Sequence, residues 1–110
     1  MLLDVPGIDV NHQNTDGMTP LHIACRWGYL ETVNALLNHG ADKNARNNHG
    51  KTPLFIAVGC KQIPVVKLLL CNGVDVDVQN RNGWSALHVA CSIGNVELIS
   101  LLISAGARLD

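Results

Sequence analysis

The chain has 110 residues, is 47% hydrophobic, and carries 8 Lys/Arg against 9 Asp/Glu, which gives a formal net charge of −1 at pH 7. This length suits one domain, and the hydrophobic content is sufficient for a packed core. The near-neutral charge excludes a global field that would attract nucleic acid or an anionic membrane surface. No apolar run approaches the ~20 residues that a membrane-spanning helix requires. We therefore expect neither nucleic acid nor a membrane as a partner.

A nine-residue segment recurs along the chain at a fixed step. It reads DGMTPLHIA from Asp16, HGKTPLFIA from His49 and NGWSALHVA from Asn82, and its glycine returns every 33 residues. A fixed period in this range is typical of an array in which each unit packs only against its neighbours. Such arrays present extended surfaces and seldom enclose a catalytic pocket, so the repeat bears on function as well as on fold.

Each unit is predicted to form a helical hairpin followed by an extended loop. In the first unit, Thr19 can cap a helix with its hydroxyl, and Pro20 suits the first helical position because that N–H has no helical partner. Gly28 can end this helix in a left-handed conformation. A second helix is predicted to begin near Leu30 and to end at Gly40, and the polar stretch that follows is too hydrophilic for a core.

The same apolar positions recur in all three units, as expected for residues that stack. These positions are occupied by Ala24, Ala57 and Ala90, by Val33, Val66 and Ile99, and by Leu36, Leu69 and Leu102. Together with the segments TPLHIA from Thr19 and LLNHGADKN from Leu36, they closely resemble the ankyrin repeat family. The resemblance covers Asp16 to Asp110 directly.

The resemblance implies an all-α fold: an ankyrin-repeat solenoid of stacked helix-turn-helix units joined by extended hairpin loops. It implies about three full repeats plus a partial N-terminal one. The expected divisions are a tail of the partial repeat at 1–15, full repeats at 16–48 and 49–81, and a repeat at 82–110 that is truncated at its C-terminal loop.

The middle unit departs most from the shared pattern. Phe55 replaces a histidine that, in the family, ties its helix to the adjacent turn, so this unit should lose the tie and gain apolar bulk. Lys61 replaces a glycine and would be strained in a left-handed conformation, unless Gly59 absorbs the bend. Pro64 falls in the first turn of the second helix, where proline is tolerated. We therefore predict that the middle unit has the least regular turn between its helices.

The last predicted helix is apolar on almost every side, through Leu98, Ile99, Leu101, Leu102 and Ile103. Terminal units of arrays normally have a polar outer face. Two interpretations stay open: the sequence is a piece of a longer array, or its exposed end pairs with a second copy. We favour the fragment and expect a monomer, with self-association through this helix as the alternative.

The cysteines and histidines do not form a metal-binding or catalytic pattern. Cys25 and Cys91 lie two periods apart, on the order of 20 Å in a stacked array, whereas a disulfide requires Cα atoms within about 7 Å. His22 and His88 are also two periods apart, and no zinc, phosphate-loop or nucleophile-elbow motif occurs. We therefore expect reduced structural cysteines and an intracellular location, cytoplasmic or nuclear. We expect no enzymatic activity, no metal site and no cofactor.

Positions that differ between units are the candidates for partner binding. In the family that the chain resembles, partners usually engage the loop tips and the concave face of the first helices. The matching variable positions hold five of the eight Lys/Arg residues, one of the nine acids, and both tryptophans. We single out Met18, Arg26, Trp27, Arg46, His49, Lys51, Lys61, Arg81, Trp84 and Ile93. Trp and Arg are the residues most enriched at binding hot spots.

These positions predict a non-catalytic protein–protein interaction module that binds an acidic, partly apolar partner through its concave face and loop tips. Two alternatives stay open: a spacer segment of a longer scaffold, and a substrate-recruiting module of an enzyme complex such as a ubiquitin ligase. A plainer interpretation is that Trp27 and Trp84 only cover helix ends and that the lysines are ordinary surface charges.

Asn11 and Asn44 occupy the loop position that, in animal ankyrin proteins, resembles the target of asparaginyl hydroxylation. Hydroxylation of these two side chains is therefore one hypothesis. The alternative, which we favour, is that each asparagine side chain braces its loop by hydrogen bonding.

Overall fold

The computed structural model describes residues 9–108, which form six α-helices arranged as three successive pairs. The helices are α1 (Pro20–Trp27), α2 (Leu30–Asn38), α3 (Pro53–Gly59), α4 (Ile63–Cys71), α5 (Ala86–Ile93) and α6 (Val96–Ser104). No strand occurs within these residues, so the expected all-α array of helical hairpins is confirmed. Residues 1–8 of the predicted tail and residues 109–110 of the last unit lie outside this part, and the unit boundaries at 16, 49 and 82 remain predictions.

The helix pairs stack in sequence order into an elongated molecule. The first helices α1, α3 and α5 contact one another in turn and form one layer, and α2, α4 and α6 form the second layer. The two helices of each pair contact each other across these layers. The molecule measures 42 × 25 × 20 Å along its principal axes. The core therefore lies between the layers and between successive units.

The first helix of each pair begins at a side-chain cap. Thr19, Thr52 and Ser85 are the N-cap residues, and each side-chain oxygen accepts a hydrogen bond from the backbone N–H three residues later. Pro20 takes the first position of α1, and Gly28 ends that helix in the left-handed region, with φ of 74°. The predicted start and end of α1 are thereby confirmed.

The buried positions recur with the period of the sequence. The recurring core comprises Ala24, Val33, Leu36, Ala57, Val66, Leu69, Ala90 and Leu102, none of which is more than 3% exposed. The alanines let neighbouring first helices approach closely, because a methyl group adds little width. Ile99 shares its position with two of these valines, yet it is only partly buried because no further unit packs over it within residues 9–108.

The turn between α3 and α4 differs from the other two in the residue that takes its left-handed position, and the expectation that it is the least regular turn stays a prediction. Lys61 has φ of 58° and is the one non-glycine residue in the left-handed region within the described part of the chain. Gly59 stays within α3 and does not take a positive φ, so the alternative in which Gly59 absorbs the bend was wrong. Pro64 lies in the first turn of α4, where its missing N–H costs no helical hydrogen bond.

Hairpin loops connect the pairs and stack on one another. At each hairpin turn an asparagine side-chain oxygen accepts hydrogen bonds from the backbone N–H groups two and four residues later. These asparagines are Asn14, Asn47 and Asn80. Successive turns are joined by backbone bonds, such as that from the Asn48 N–H to the Asp16 carbonyl at 3.1 Å. Gly17 is required here, because its φ is 76° and an added Cβ would lie 2.7 Å from the Asn48 nitrogen.

Candidate partner-binding surface

A cleft of about 560 Å³ lies between the first and second units, where α1 and α3 face the hairpin turns. We call it the inter-unit cleft, and its lining comprises Asn14, Asp16, Met18, Ile23, Arg26, Asn47, His49, Lys51, Phe55, Ile56, Gly59 and Cys60. Its volume falls within the range of ligand sites, roughly 300–1,000 Å³. Because the cleft is open to solvent along one side, its shape suits a segment of another chain.

The floor of the inter-unit cleft is apolar and well packed. Met18 is 7% exposed, and its sulfur accepts a hydrogen bond from the Asn47 side-chain amide at 3.2 Å. Phe55 is 8% exposed and occupies the position that holds a histidine in the other units. Met18 therefore offers a partner little surface of its own, although it closes the bottom of the cleft.

Two positively charged side chains, Arg26 and Lys51, line the solvent-accessible side of the cleft, which we call its rim. The Lys51 ammonium lies 5.7 Å from the centroid of the Phe55 ring, which is a cation–π distance. Arg26 is exposed in the last turn of α1, and His49 is exposed on the second hairpin turn. Asp16 contributes one carboxylate to the same lining. The rim is therefore positive overall, with a single opposing charge at a hairpin turn.

His22 holds Lys51 in place from the neighbouring unit. Its Nδ1 accepts the Thr19 backbone N–H at 3.0 Å, so the ring hydrogen lies on Nε2 and is donated to the Lys51 carbonyl oxygen at 2.9 Å. Phe55 cannot make these bonds, and only the Thr52 hydroxyl caps α3, as predicted from the missing histidine. Burial lowers the pKa of His22, which keeps the ring in this neutral form.

The structure brings four of the predicted contact residues together in the inter-unit cleft: Met18, Arg26, His49 and Lys51. The others lie elsewhere along the array. Trp27 is 60% exposed at the end of α1, Lys61 is exposed in the turn after α3, and Arg81 is exposed on the third hairpin turn. Trp84 is 44% exposed with its ring centroid 6.2 Å from that of His88. Ile93, at the end of α5, is half-buried.

Arg46 lies outside the cleft and braces two loops. Its guanidinium donates to the Gln79 carbonyl at 3.0 Å and to the Gly50 carbonyl at 3.4 Å. Gln13 occupies the same position one unit earlier, and its side-chain amide donates to the Arg46 carbonyl at 3.2 Å. Any contact between Arg46 and a partner would therefore compete with these bonds between units.

Asn11 and Asn44 also brace successive loops. The Asn11 side-chain oxygen accepts the Asp42 N–H at 2.6 Å, and the Asn44 side-chain oxygen accepts the Asp75 N–H at 2.9 Å. Asp77 takes the same position 33 residues after Asn44, in the second unit, and its side-chain oxygen accepts an equivalent backbone hydrogen bond, from Arg108, at 3.0 Å. Such hydrogen bonds are what we expect if each asparagine side chain braces its loop, which is the alternative that we favoured. Hydroxylation of the two asparagines remains a prediction, which an intact mass of the native protein would test.

The cleft also contains apolar residues that the comparison between units set aside. Ile23 and Ile56 were not among the predicted contact residues, yet Ile23 is 39% exposed and both line the cleft. The signal that could have identified them is the helix face. Ile23 and Arg26 are three residues apart and share the side of α1 that the buried residues Leu21 and Ala24 leave free.

The cysteines differ in their surroundings. Cys25 is buried, and burial raises the pKa of its thiol to about 12. Cys60, Cys71 and Cys91 are exposed free thiols, so a packing role applies to Cys25 and not to the other three.

Across residues 9–108, no three His, Cys, Asp or Glu side chains are grouped so as to hold a metal ion. None of the six helices has the length and apolar character needed to cross a membrane.

Stacked helical hairpins of 33-residue period, joined by braced hairpin loops, define the class of helical repeat proteins. A family model described as ankyrin repeats (3 copies) matches residues 1–80, and one described as ankyrin repeats (many copies) matches residues 61–103. The chain belongs to the ankyrin repeat family. Ankyrin repeats are generally protein-interaction modules and are typically non-catalytic, and they bind other proteins.

Two similar proteins share short segments with this chain. The SMC5-SMC6 complex localization factor protein 1 of Mus musculus is 49% identical over 37 residues, which is 34% of this chain and 4% of that protein. The serine/threonine-protein kinase TNNI3K of Mus musculus is 45% identical over 40 residues, 36% of this chain and 5% of the kinase. The same kinase of Rattus norvegicus matches to the same extent. The matched segments thus span only about a twentieth of these relatives.

Proposed function

We propose that the chain is a non-catalytic module that binds another protein through its concave face and loop tips, and that the bound segment is acidic and partly apolar. The observation that carries this proposal is the inter-unit cleft, in which Arg26 and Lys51 flank an apolar floor. An apolar floor beneath a charged, solvent-accessible rim is the usual arrangement of a protein interface.

The positions of the acidic residues support this polarity. Asp42 and Asp75 accept backbone hydrogen bonds in the loops that follow the second helices. Glu97 pairs with Lys67 at 3.9 Å in the second-helix layer. Among the residues that line the cleft, Asp16 is the single acid. The surface that we propose for binding is therefore richer in positive charge than the rest of the described chain.

The two kinds of contact have different physical roles. The rim charges attract an acidic segment and orient it, so they act mainly on the association rate and on its dependence on salt. The apolar floor removes hydrocarbon from water once the segment is seated, so it acts mainly on the dissociation rate.

Selection from a library of random linear peptides tests the proposal. The folded chain is expected to enrich peptides with acidic residues, and their affinity is expected to fall as ionic strength rises, because salt screens the rim charges. Lys51→Glu is expected to weaken the selected peptides about tenfold, because a negative charge then faces the peptide carboxylates. Circular dichroism checks that the variant keeps its helices.

Lys67→Glu is the matched control, since Lys67 lies in the second-helix layer and the substitution changes the net charge equally. It is expected to bind the selected peptides within about twofold of wild type. Binding that ignored salt and tolerated Lys51→Glu would contradict the proposal. A folded chain that enriches no acidic peptide would instead favour the alternative of a spacer segment.

A further inference from the structure

The inter-unit cleft owes its width to a local change in side-chain size. Where α1 ends, the first unit has Arg26 and Trp27, and at the same positions the second unit has Gly59 and Cys60. Trp27 is 60% exposed and projects from its unit, whereas Gly59 and Cys60 line the cleft. The cleft wall at the end of α3 is therefore set back. We call this part of the cleft the Gly59 recess and define it by Gly59 and Cys60.

Apolar side chains line the cleft beside the Gly59 recess. Phe55, four residues before Gly59 on α3, has 8% of its surface exposed, and Ile23 and Ile56 line the same cleft from α1 and α3. An added Cβ on Gly59 would meet only Val89 Cγ1, at an ordinary contact distance of 3.9 Å. A side chain on α3 would thus meet little obstruction at Gly59, and the apolar residues that line the cleft favour an apolar occupant over a polar one.

The rim charges determine which residues are favoured beside that occupant. Arg26 and Lys51 supply two positive charges, and Lys51 is held over the Phe55 ring. Asp16 supplies the opposing negative charge from the first hairpin turn. A partner carboxylate is therefore stabilised near Lys51 and Arg26 and destabilised near Asp16.

We infer that the Gly59 recess seats one large apolar side chain of a partner protein's extended acidic segment, and that a carboxylate of the same segment pairs with Lys51 or Arg26. The inference rests on the proposed function and adds a recognition motif to it: an acidic residue close in sequence to a large aliphatic or aromatic residue. The apolar side chain supplies affinity, and the carboxylate supplies orientation.

The first test closes the recess in the intact chain. Cys60→Trp introduces the side chain that the first unit has at the same position. It is expected to weaken binding of a library-selected peptide at least tenfold, because the apolar side chain loses its seat. Cys71→Trp adds the same side chain at an exposed cysteine outside the cleft and is expected to bind within about twofold of wild type. Cys60 is exposed at the C-cap of α3 and Cys71 is exposed at the end of α4, so both variants are expected to keep the helical content.

A second test needs no substitution, because the free cysteines of the chain report on access to the recess. Cys60 lies in the recess, Cys71 is exposed at the end of α4, and Cys25 is buried. Saturating selected peptide is expected to slow alkylation of Cys60 by N-ethylmaleimide several-fold and to leave Cys71 unchanged. Peptide mass spectrometry reports the two cysteines separately, so general loss of reagent activity is distinguished from local protection.

A third variant tests the carboxylate. Asp16→Asn removes the opposing rim charge and is expected to tighten binding about two- to fivefold at low salt, the range of an exposed charge interaction. The gain should disappear at high salt, because both the repulsion and the attraction are then screened.

The outcomes separate the inference from the proposed function. The inference about the Gly59 recess would be overturned by three results together, and the proposed function would still stand. The selected peptides would be acidic without an apolar preference, they would bind Cys60→Trp as well as wild type, and they would leave Cys60 reactive. Absence of any acidic enrichment would overturn both. Both would also be overturned if a single-stranded oligonucleotide bound more tightly than any selected peptide and depended on Lys51, because the ligand would then be nucleic acid.

Discussion

The buried imidazole of His22 couples the packing of the first two units to pH. Its neutral form satisfies both ring nitrogens, and desolvation lowers its pKa below the ordinary value of 6.5. The unfolded chain therefore binds more protons than the folded chain once the pH falls below about 6.5. The stabilisation is complete above that pH and is lost as the pH falls towards the lowered pKa of the folded state. One such site changes the free energy of unfolding by at most about 1.4 kcal/mol per pH unit.

We therefore predict that the free energy of unfolding, measured in urea, is constant near neutral pH and falls as the pH decreases from about 6.5 to about 5. His22→Phe is the matched variant, because Phe55 already occupies this position in the second unit. The variant loses the bonds to Thr19 and Lys51, so it is less stable at neutral pH, but its stability depends less on pH. Parallel stability curves for the two proteins would assign the pH dependence to other groups.

Single side chains also show the limits of reading the binding surface from sequence. Met18 varies between units and was predicted to contact a partner, yet it is 7% exposed. Ile23 has apolar counterparts at the same position in the other units and was not among the predicted contact residues, yet it is 39% exposed and lines the cleft. Variation between units reports that a residue is not needed for stacking, but exposure depends on which side of a helix or turn faces the next unit. That orientation appears only once the units are packed.

At the scale of elements, the turn between α3 and α4 carries a conformational cost. Lys61 has φ of 58°, where the equivalent Gly28 and Gly94 have φ of 74° and 77°. A non-glycine residue in this region costs about 1–2 kcal/mol. We predict that Lys61→Gly raises the free energy of unfolding by about 1 kcal/mol in urea titrations, because the strain is relieved and the fold is otherwise unchanged.

The reverse substitution at the last turn is the control for this prediction. Gly94 has no atom within 4 Å of an added Cβ, so Gly94→Lys changes the backbone preference without creating a clash. It is expected to lower the free energy of unfolding by about 1 kcal/mol. If neither variant differed from wild type, the left-handed turn would not be a source of strain.

The hairpin loops are held by side chains that reach across units. Arg46→Ala removes the bond to the Gln79 carbonyl and is expected to lower the free energy of unfolding by about 0.5–1.5 kcal/mol. Arg46→Gln is expected to retain most of this stability, because Gln13 makes the equivalent bond one unit earlier. Both are measured by urea unfolding. A loss of peptide affinity in Arg46→Gln at unchanged stability would show instead that Arg46 contacts the partner.

The elements differ in how far the sequence predicts them. The ends of α1 follow from local capping and glycine signals, which act within a few residues, so they could be predicted. The hydrogen bond from Arg46 to Gln79 joins positions 33 residues apart, and its partner depends on the rise between units. This bond could therefore not be predicted from the sequence. Gly59 illustrates the same limit: its flexibility suggested that it absorbs the bend, but the helix extends through it and the turn falls on Lys61.

At the scale of the whole molecule, each unit is stabilised by its neighbours. Among the three first helices that the structure describes, α3 contacts both α1 and α5, whereas α1 and α5 each contact α3 and not each other. Stability in such an array is approximately a sum of unit terms and nearest-neighbour interfaces. The inter-unit cleft is built from α1, α3 and the first two hairpin turns, so it depends on the interface between the first and second units and only indirectly on the third.

This arrangement predicts that equivalent core substitutions have different consequences for binding. Leu54 and Leu87 occupy the same position in α3 and α5 and are 2% and 1% exposed, so either one replaced by alanine is expected to cost about 2–5 kcal/mol. Leu54→Ala weakens both interfaces of the middle unit, so amide exchange should rise throughout the array and selected peptides should no longer bind. Leu87→Ala weakens one interface, so exchange should rise first in α5 and α6 while the folded fraction still binds through the cleft. Equal exchange profiles in the two variants would mean that the three units unfold as one, and that binding depends on the whole array.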